Sequence, residues 1–322
     1  MTRLMSYIPT TKEAQRIAGV FGILPVHIRR IPDGLINASF FITDKDHKEF
    51  VLRVYQKDNR TIGEIRHEIK VMNALRDTGL PIPRLHMTHT GSYLGTWRHN
   101  RVSYFTILME RIKGRHIKPT DLYLLPSVAQ YHGKMHRELR EHKPLKSVTR
   151  TFQTMLQLIE REYSTAIQKL DSKTSRAFSR VYEDICTMVL RRHATIMGLP
   201  SGDVHLDYDS TNILVRNNVI VGILDFDDIT HKPFALDIGN SLWWWLFYNP
   251  VAVWHEVVST YLKNYEKERN LSKNEKRSLA LFIRMRNFAL ACFLFVNIPA
   301  HAQISNVRKA ISFDRKMSTF EL

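Results

Sequence analysis

The sequence predicts an α+β protein, with a β-rich N-terminal part followed by a larger, mainly helical C-terminal part. Three observations carry that expectation. Residues 37–55 hold two runs rich in β-formers, NASFFIT and EFVLRVY, joined by the polar DKDHK. From about residue 120 onward, apolar residues recur mostly at helical spacing. One stretch, 200–228, breaks that helical pattern with short, nearly continuous apolar runs of the kind a buried strand needs.

Taken in order, Thr10 followed by Glu13 has capping-box spacing and opens a helix to about Val20. The 37–43 and 49–55 runs form a hairpin. In TIGEIRHEIKVMNALRDTG, residues 61–79, apolar side chains at 65, 69, 72 and 75 define one helix face, and Gly79 stops it. LPIPRL is extended, because a proline disfavours helix at the residue before it. VSYFTILMERI, 102–112, is a further strand ending near Gly114. Helices are expected over 121–140, 150–170, 174–197, 251–268 and 273–297, with a seam near Glu110 to Gly114. The domain boundaries are therefore 1–113 and 114–322.

The composition sets limits on function. Of 322 residues, 44% are hydrophobic and 24% charged, an ordinary balance for a globular protein. Cys186 and Cys292 are the two cysteines. They cannot build a disulfide framework and have no metal-ligand spacing, which fits free thiols in a reducing cytoplasm. The N-terminal MTRLMSYIPTTKEAQ shows no apolar core of a secretory signal. The most apolar stretch, 279–300, is interrupted by Arg284 and Arg286 and is expected to be a core helix rather than a membrane span. With 47 Lys and Arg against 31 Asp and Glu, the formal net charge is +16. These cations are scattered at helical intervals with no nucleic-acid-binding signature, so no dedicated nucleic-acid partner is expected.

The chemistry concentrates in SGDVHLDYDSTNILV, residues 201–215, and GILDFDD, 222–228. NILV and VIVGILDF read as two buried strands joined by a tight Asn-Asn turn. A hairpin brings its ends together, so Asp207, Asn212 and Asp225 converge on one edge. That concentration of charge is costly to bury alone, and a divalent cation with hard oxygen ligands would offset it. Phosphoryl transfer uses such a set: a carboxylate that orients the attacking hydroxyl, and an amide and a carboxylate that hold Mg²⁺. In kinases the base and the asparagine stand as D-x-x-x-x-N. Five residues after Asp203 is Tyr208, and five after Asp209 is Leu214; only Asp207 reaches an asparagine, Asn212.

HLDYDSTNILV followed by GILDFDD resembles the aminoglycoside phosphotransferase, choline kinase and homoserine kinase type II superfamily. His205, Asp207, Asn212, Asp225 and Asp228 fall on its motif positions. One departure is Leu206, which stands where the family usually has glycine and puts catalytic rate in question. The resemblance covers most of the chain and implies a bilobal, protein-kinase-like fold with ATP and Mg²⁺ in a cleft. It also implies Asp207 as catalytic base, Asn212 and Asp225 as metal ligands, and Asp209 and Asp228 on the acceptor side. DGLINASFFI is similar to the loop that covers the phosphates, implicating Gly34, Asn37 and Ser39. Arg53 corresponds to the phosphate-gripping cation, with Glu68 as its partner and Glu64 as the rival one turn earlier. LMERIKG resembles the hinge, where Glu110 and Ile112 would bond adenine through their backbones. Asp237 matches an aspartate that caps and braces the following helix, and His136 a structural histidine. Of the consecutive Trp243, Trp244 and Trp245, at most one or two can line a site, because neighbours on a helix point in different directions.

The resulting expectation is an ATP-dependent kinase acting on a hydroxyl of a small molecule: a homoserine-like amino alcohol, a sugar or an aminoglycoside. The alternatives are a nucleotide-binding pseudokinase, a basic nucleic-acid-binding protein and a protein serine/threonine kinase. The last is disfavoured, because this sequence has no H-R-D or A-P-E signature and no recognisable activation segment.

Overall fold

Thr10 and Glu13 open the first helix by serving each other. The Thr10 hydroxyl accepts from the Glu13 N–H at 3.2 Å, and the Glu13 carboxylate accepts from the Thr10 N–H at 2.8 Å. This capping box starts α1 (Thr11–Val20), as its spacing predicts. The computed structural model describes residues 7–32, 36–57, 59–141, 151–297 and 300–321. Gly34, expected in the phosphate-covering loop, lies outside the described residues.

After α1 come β1 (Pro25–Ile31), β2 (Ala38–Asp44) and β3 (Glu49–Val54). In β2 and β3 the side chains alternate buried and part-exposed, the period-2 pattern that a sheet with one covered face requires. Next are α2 (Ile62–Asp77), β4 (Leu85–His86), β5 (Gly95–His99), β6 (Val102–Glu110) and β7 (Arg115–His116). The main sheet runs β1-β2-β3-β6-β4, with β5 also paired to β6, and its pairs are antiparallel. α1 packs on it, and Ala14, Ile17, Phe21, Phe40, Leu52, Val54 and Leu108 form the core between them. α2 ends as expected: Gly79 adopts a φ of 80°, the left-handed turn that terminates a helix most easily at glycine. β1 escaped the sequence reading because its burial repeats every three residues, not every two, as suits an edge strand carrying Arg29 and Arg30.

The remaining elements are α3 (Leu125–Leu139), α4 (Phe152–Ile167), α5 (Ser172–Arg191), α6 (His193–Met197) and β8 (Ser201–Val204). They continue through β9 (Ile213–Arg216), β10 (Val219–Ile223), β11 (Thr230–Pro233), α7 (Phe234–Phe247), α8 (Trp254–Tyr265), α9 (Lys273–Asn297) and α10 (Ala300–Met317). β9 and β10 form the predicted hairpin. Asn217 and Asn218, with φ of 50° and 60°, supply the two left-handed residues of its turn. β11 pairs with β8, and α10 follows the last helix that periodicity had indicated.

The described residues form two compact units. One holds the chain up to Arg115 together with Leu214–Asp227; the other holds His116–Ile213 and Asp228 onward. The β-rich N-terminal part and helical C-terminal part match the predicted class. In the second unit, α9 is long and apolar enough to cross a membrane by composition. Its Leu281, Phe282, Ile283, Met285 and Phe288 are nonetheless buried in the protein, and Arg284 is paired through two hydrogen bonds with Asp314, at 2.8 and 3.0 Å.

Candidate active site

In the first unit, three side chains predicted from the sequence, Arg53, Glu68 and Asp225, sit in one polar web. Arg53 on β3 reaches Asp225 at 2.8 Å and Glu68 on α2 at 3.4 Å. Tyr55 donates its hydroxyl to the other oxygen of Glu68 at 2.8 Å. Glu64, the rival partner, is committed instead to the N-terminus of its own helix, accepting from the Thr61 N–H at 2.8 Å. Burial raises the Glu68 carboxyl to about 7, against the opposing pull of Arg53 and the Tyr55 hydrogen bond. Asn37 donates to Asp227 at 2.8 Å and accepts from the Gln56 N–H at 3.3 Å, while the Arg60 side chain donates to the Asp227 carbonyl at 2.7 Å. Ser39 faces Arg53 across the β2–β3 ladder. Asp225 itself has a φ of 63° and a side chain 42% exposed, so its second carboxylate oxygen is accessible.

Glu110 and Ile112 border an open recess of about 450 Å³, together with Arg76, Ile82, Pro83 and Arg84. The Glu110 N–H is held by the Arg84 carbonyl at 2.8 Å. Ile112 follows the end of β6 and makes no backbone hydrogen bond through its N–H among the described residues.

In the second unit, the loop after β8 carries Asp207. Its Oδ2 accepts from Asn212 Nδ2 at 3.0 Å, and the same amide donates to the Asp207 carbonyl at 2.9 Å. The D-x-x-x-x-N spacing thus closes a ring around the loop through the amide nitrogen of Asn212. Asp207 Oδ1 takes a hydrogen bond from Arg286 on α9 at 2.5 Å. Burial alone would depress the Arg286 pKa, but Asp207, then Asp209 and Asp228, outweigh it and raise it. Asp209 is buried; Thr211 holds its Oδ1 through N–H and hydroxyl at 2.7 and 2.6 Å. Burial, then the neighbouring Asp207 charge, raises Asp209 to about 7.

The loop is braced from behind by Asp237. Its oxygens accept from the backbone N–H groups of His205 at 3.0 Å and Leu206 at 2.8 Å. They also accept from His132 and His136 at 3.1 and 3.0 Å. The other ring nitrogens of His132 and His136 meet the hydroxyls of Tyr261 and Tyr265 at 2.5 and 2.7 Å. Gly133 makes this crossing possible, since a Cβ there would lie 2.5 Å from the Tyr265 carbonyl on α8. Two histidines and a carboxylate are metal-ligand types, but each ring nitrogen here already has a protein partner, so the cluster is a hydrogen-bond network. The expectation that Asp237 caps the following helix is corrected: α7 has no side-chain cap, and Asp237 holds the loop instead. Of the three tryptophans, Trp243 and Trp245 are buried, while Trp244 is part-exposed and stacked on Tyr248.

Residues 27–272 match the model of the phosphotransferase enzyme family. The chain belongs to that family. By family it is a small-molecule kinase that acts on hydroxyl groups. It is 20% identical to the homoserine kinase of Caulobacter vibrioides over 298 residues, 91% of this chain and 90% of the relative. A match to the homoserine kinase of Nitrobacter winogradskyi is 31% identical over 109 residues, 33% of each chain. Among solved structures, an amicoumacin kinase in complex with AMP-PNP and Ca²⁺ superimposes with a TM-score of 0.77 at 17% identity, covering 97% of this chain and 96% of that one. A microcompartment-associated aminopropanol kinase gives the same TM-score and identity, covering 96% and 95%. These two likenesses show the fold.

In this phosphotransferase, the family's glycine position is occupied by Leu206 with a φ of 65°, the left-handed region where glycine is at ease. Sequence reasoning missed Arg286 as a site residue. Its signal was present, since a charged residue within an apolar helix needs a partner.

Proposed function

We propose that the protein transfers the γ-phosphoryl group of ATP, as its Mg²⁺ complex, to the hydroxyl of a small amino alcohol of the homoserine type. The observation that carries this reading is the Asp207 carboxylate, held through Oδ2 by the asparagine five residues later on a loop braced by Asp237. In the reaction, the acceptor hydroxyl hydrogen-bonds to Asp207, its oxygen attacks the γ-phosphorus, the bond to the β-phosphate oxygen breaks, and the proton passes to Asp207. Arg53, anchored by Glu68, supplies positive charge for the phosphates, and Glu110 and Ile112 supply backbone groups for adenine. Asn37 and Ser39 flank the phosphate-covering loop. The exposed oxygen of Asp225 and Oδ1 of Asn212 are hard donors of the type Mg²⁺ prefers. When bound, Mg²⁺ neutralises charge that develops on the phosphates. Asp209 and Asp228 are assigned to the acceptor side.

Two facts support an amino alcohol over a polycationic aminoglycoside. The curated relatives compared above are homoserine kinases, and the chain has a net charge of +16, with Arg286 beside the base. The test is ADP release with ATP and Mg²⁺ across L-homoserine, 1-amino-2-propanol, choline, sugars and aminoglycosides. Acceptor-dependent release with an amino alcohol supports the reading. Release with aminoglycosides alone overturns the acceptor class, and no release with any acceptor overturns the enzyme reading.

A further inference from the structure

α9 carries two arginines in an otherwise apolar run, and they are bound in different ways. Arg284 makes two hydrogen bonds to Asp314 on α10, and both side chains are nearly inaccessible, at 7% and 5% exposure. That is a fork matched to a carboxylate, the arrangement a structural ion pair adopts. Among the described residues Arg286 instead makes a single hydrogen bond, from one terminal nitrogen to Asp207 Oδ1 at 2.5 Å, with Asp207 33% exposed. Its Nε is buried without a hydrogen-bond partner among the described residues. A guanidinium placed for stability alone would fill its donors, because leaving one unmade inside a protein is unfavourable. Arg286 is aimed at one oxygen of one carboxylate, and that carboxylate is the proposed base.

We propose that Arg286 is a positioning residue for phosphoryl transfer: it holds Asp207 Oδ1 while Asn212 holds Oδ2, so that the carboxylate cannot rotate away from the acceptor hydroxyl. This rests on the reading of Asp207 as the base. An aspartate side chain on a loop has two free torsions, and a terminal carboxylate torsion is broad and weakly restrained by itself. Two contacts from two different elements, α9 and the loop's own asparagine, remove that freedom before the acceptor arrives. Each oxygen keeps a lone pair for the hydroxyl. Arg286 acts through Asp207, so its effect belongs to kcat and vanishes where Asp207 is already disabled.

The test uses the full chain with ATP, Mg²⁺ and whichever of L-homoserine, 1-amino-2-propanol, choline, sugar or aminoglycoside gives the greatest ADP release. Arg286→Met is expected to lower kcat by about 10- to 100-fold, the usual penalty for a misplaced reacting group, with the KM for ATP nearly unchanged. Arg286→Lys keeps the charge and is expected to retain more activity than Met. Guanidinium ion at non-denaturing concentration is expected to restore part of the activity of Arg286→Ala. Asp207→Asn combined with Arg286→Met should be no slower than Asp207→Asn alone. Arg284→Met serves as the control, lowering Tm while kcat stays within about threefold. An Arg286→Met enzyme with normal kcat, or additive losses in the double variant, overturns the proposal. If Asp207→Asn itself keeps full activity, the base assignment fails first and for a separate reason. A crystal structure of Arg286→Met with AMP-PNP and Mg²⁺ decides without turnover: a rotated Asp207 carboxylate supports the clamp, and an unmoved one overturns it.

Discussion

The backbone N–H of Leu206, at a φ of 65°, donates to Oδ1 of Asp237 at 2.8 Å. A leucine in the left-handed region costs roughly 1–2 kcal/mol, so something must hold it there. Asp237 holds the N–H, and Asn240 donates to the Leu206 carbonyl at 2.9 Å. The loop thus keeps the backbone that a glycine would adopt freely, and the family's pattern survives the substitution through its supports.

Leu206→Gly is therefore expected to raise unfolding stability by up to about 1 kcal/mol in urea titrations, with kcat within about threefold of the parent. Leu206→Ala keeps the strain and loses side-chain contact, so it is expected to be less stable than the parent. A Gly variant that folds well but loses most activity would assign the leucine side chain itself a role.

Asp203 and Asp207 separate stability from catalysis. Asp203 is fully buried on β8, paired across the ladder with His231. Asp203→Asn removes a buried charge outside the D-x-x-x-x-N register, so it is expected to shift Tm while kcat at a permissive temperature stays within a few-fold. Asp207→Asn is expected to lose about 10²- to 10⁴-fold in kcat with little change in ATP affinity. The two variants should be compared by thermal melting and by steady-state kinetics on the same acceptor.

Removing Arg53 leaves Glu68, only 2% exposed, facing Tyr55 alone. Breaking one side of a buried pair typically costs about 3–5 kcal/mol, so Arg53→Met is expected to lose stability on that scale and to raise the KM for ATP. Glu68→Gln keeps hydrogen-bonding capacity and is expected to be milder on both counts. Equal Tm values for the three proteins would remove Arg53 and Glu68 from the structural web.

The buried histidines set an acid limit. Burial, aided by the charge of neighbouring His132, lowers His136 from its ordinary value near 6.5 to about 3. Below about 6.5 the unfolded chain takes up a proton that the folded chain refuses, so this residue's contribution to stability is present at neutral pH and is lost as pH falls toward 3. His136→Gln can keep the donor to Asp237 but has no such titration. It is expected to be less stable than the parent at pH 7, with the gap narrowing by up to about 1.4 kcal/mol per pH unit between 6 and 4. A gap independent of pH would show that His136 is not held neutral.

Nucleotide binding provides a check that needs no acceptor. ATP with Mg²⁺ at about 100 times its Kd is expected to stabilise the folded protein by about 2.7 kcal/mol, and ATP with EDTA by much less. The metal-dependent part is expected to shrink in Asn212→Ala and Asp225→Ala. Identical melting with and without nucleotide would favour the nucleic-acid alternative, which a salt titration with duplex DNA would then examine.

Much of the fold and of the site's register was legible because it is local. Capping-box spacing, the Asn-Asn turn, the glycine stop at 79 and the alternation of β2 and β3 depend on residues only a few positions apart. The five-residue step from Asp207 to Asn212 is local too, and it returned as a pair of hydrogen bonds. Strand β1 and helix α10 were harder, since an edge strand need not alternate and a terminal helix with mixed faces takes its definition from what it packs against.

What the sequence determined by itself was the class of fold, those of its elements that carry local signals and which aspartate stands in register with an asparagine, because each follows from periodicity or short spacing along one chain. Only the tertiary structure decided that Glu68 rather than Glu64 meets Arg53, that Asp237 braces the loop instead of capping its helix, and that Arg286 lies on Asp207. Those partners are separated by 15, 31 and 79 residues respectively. At such separations, pairing is set by how helices and strands pack, and a charge's position in the sequence does not name the one that will neutralise it.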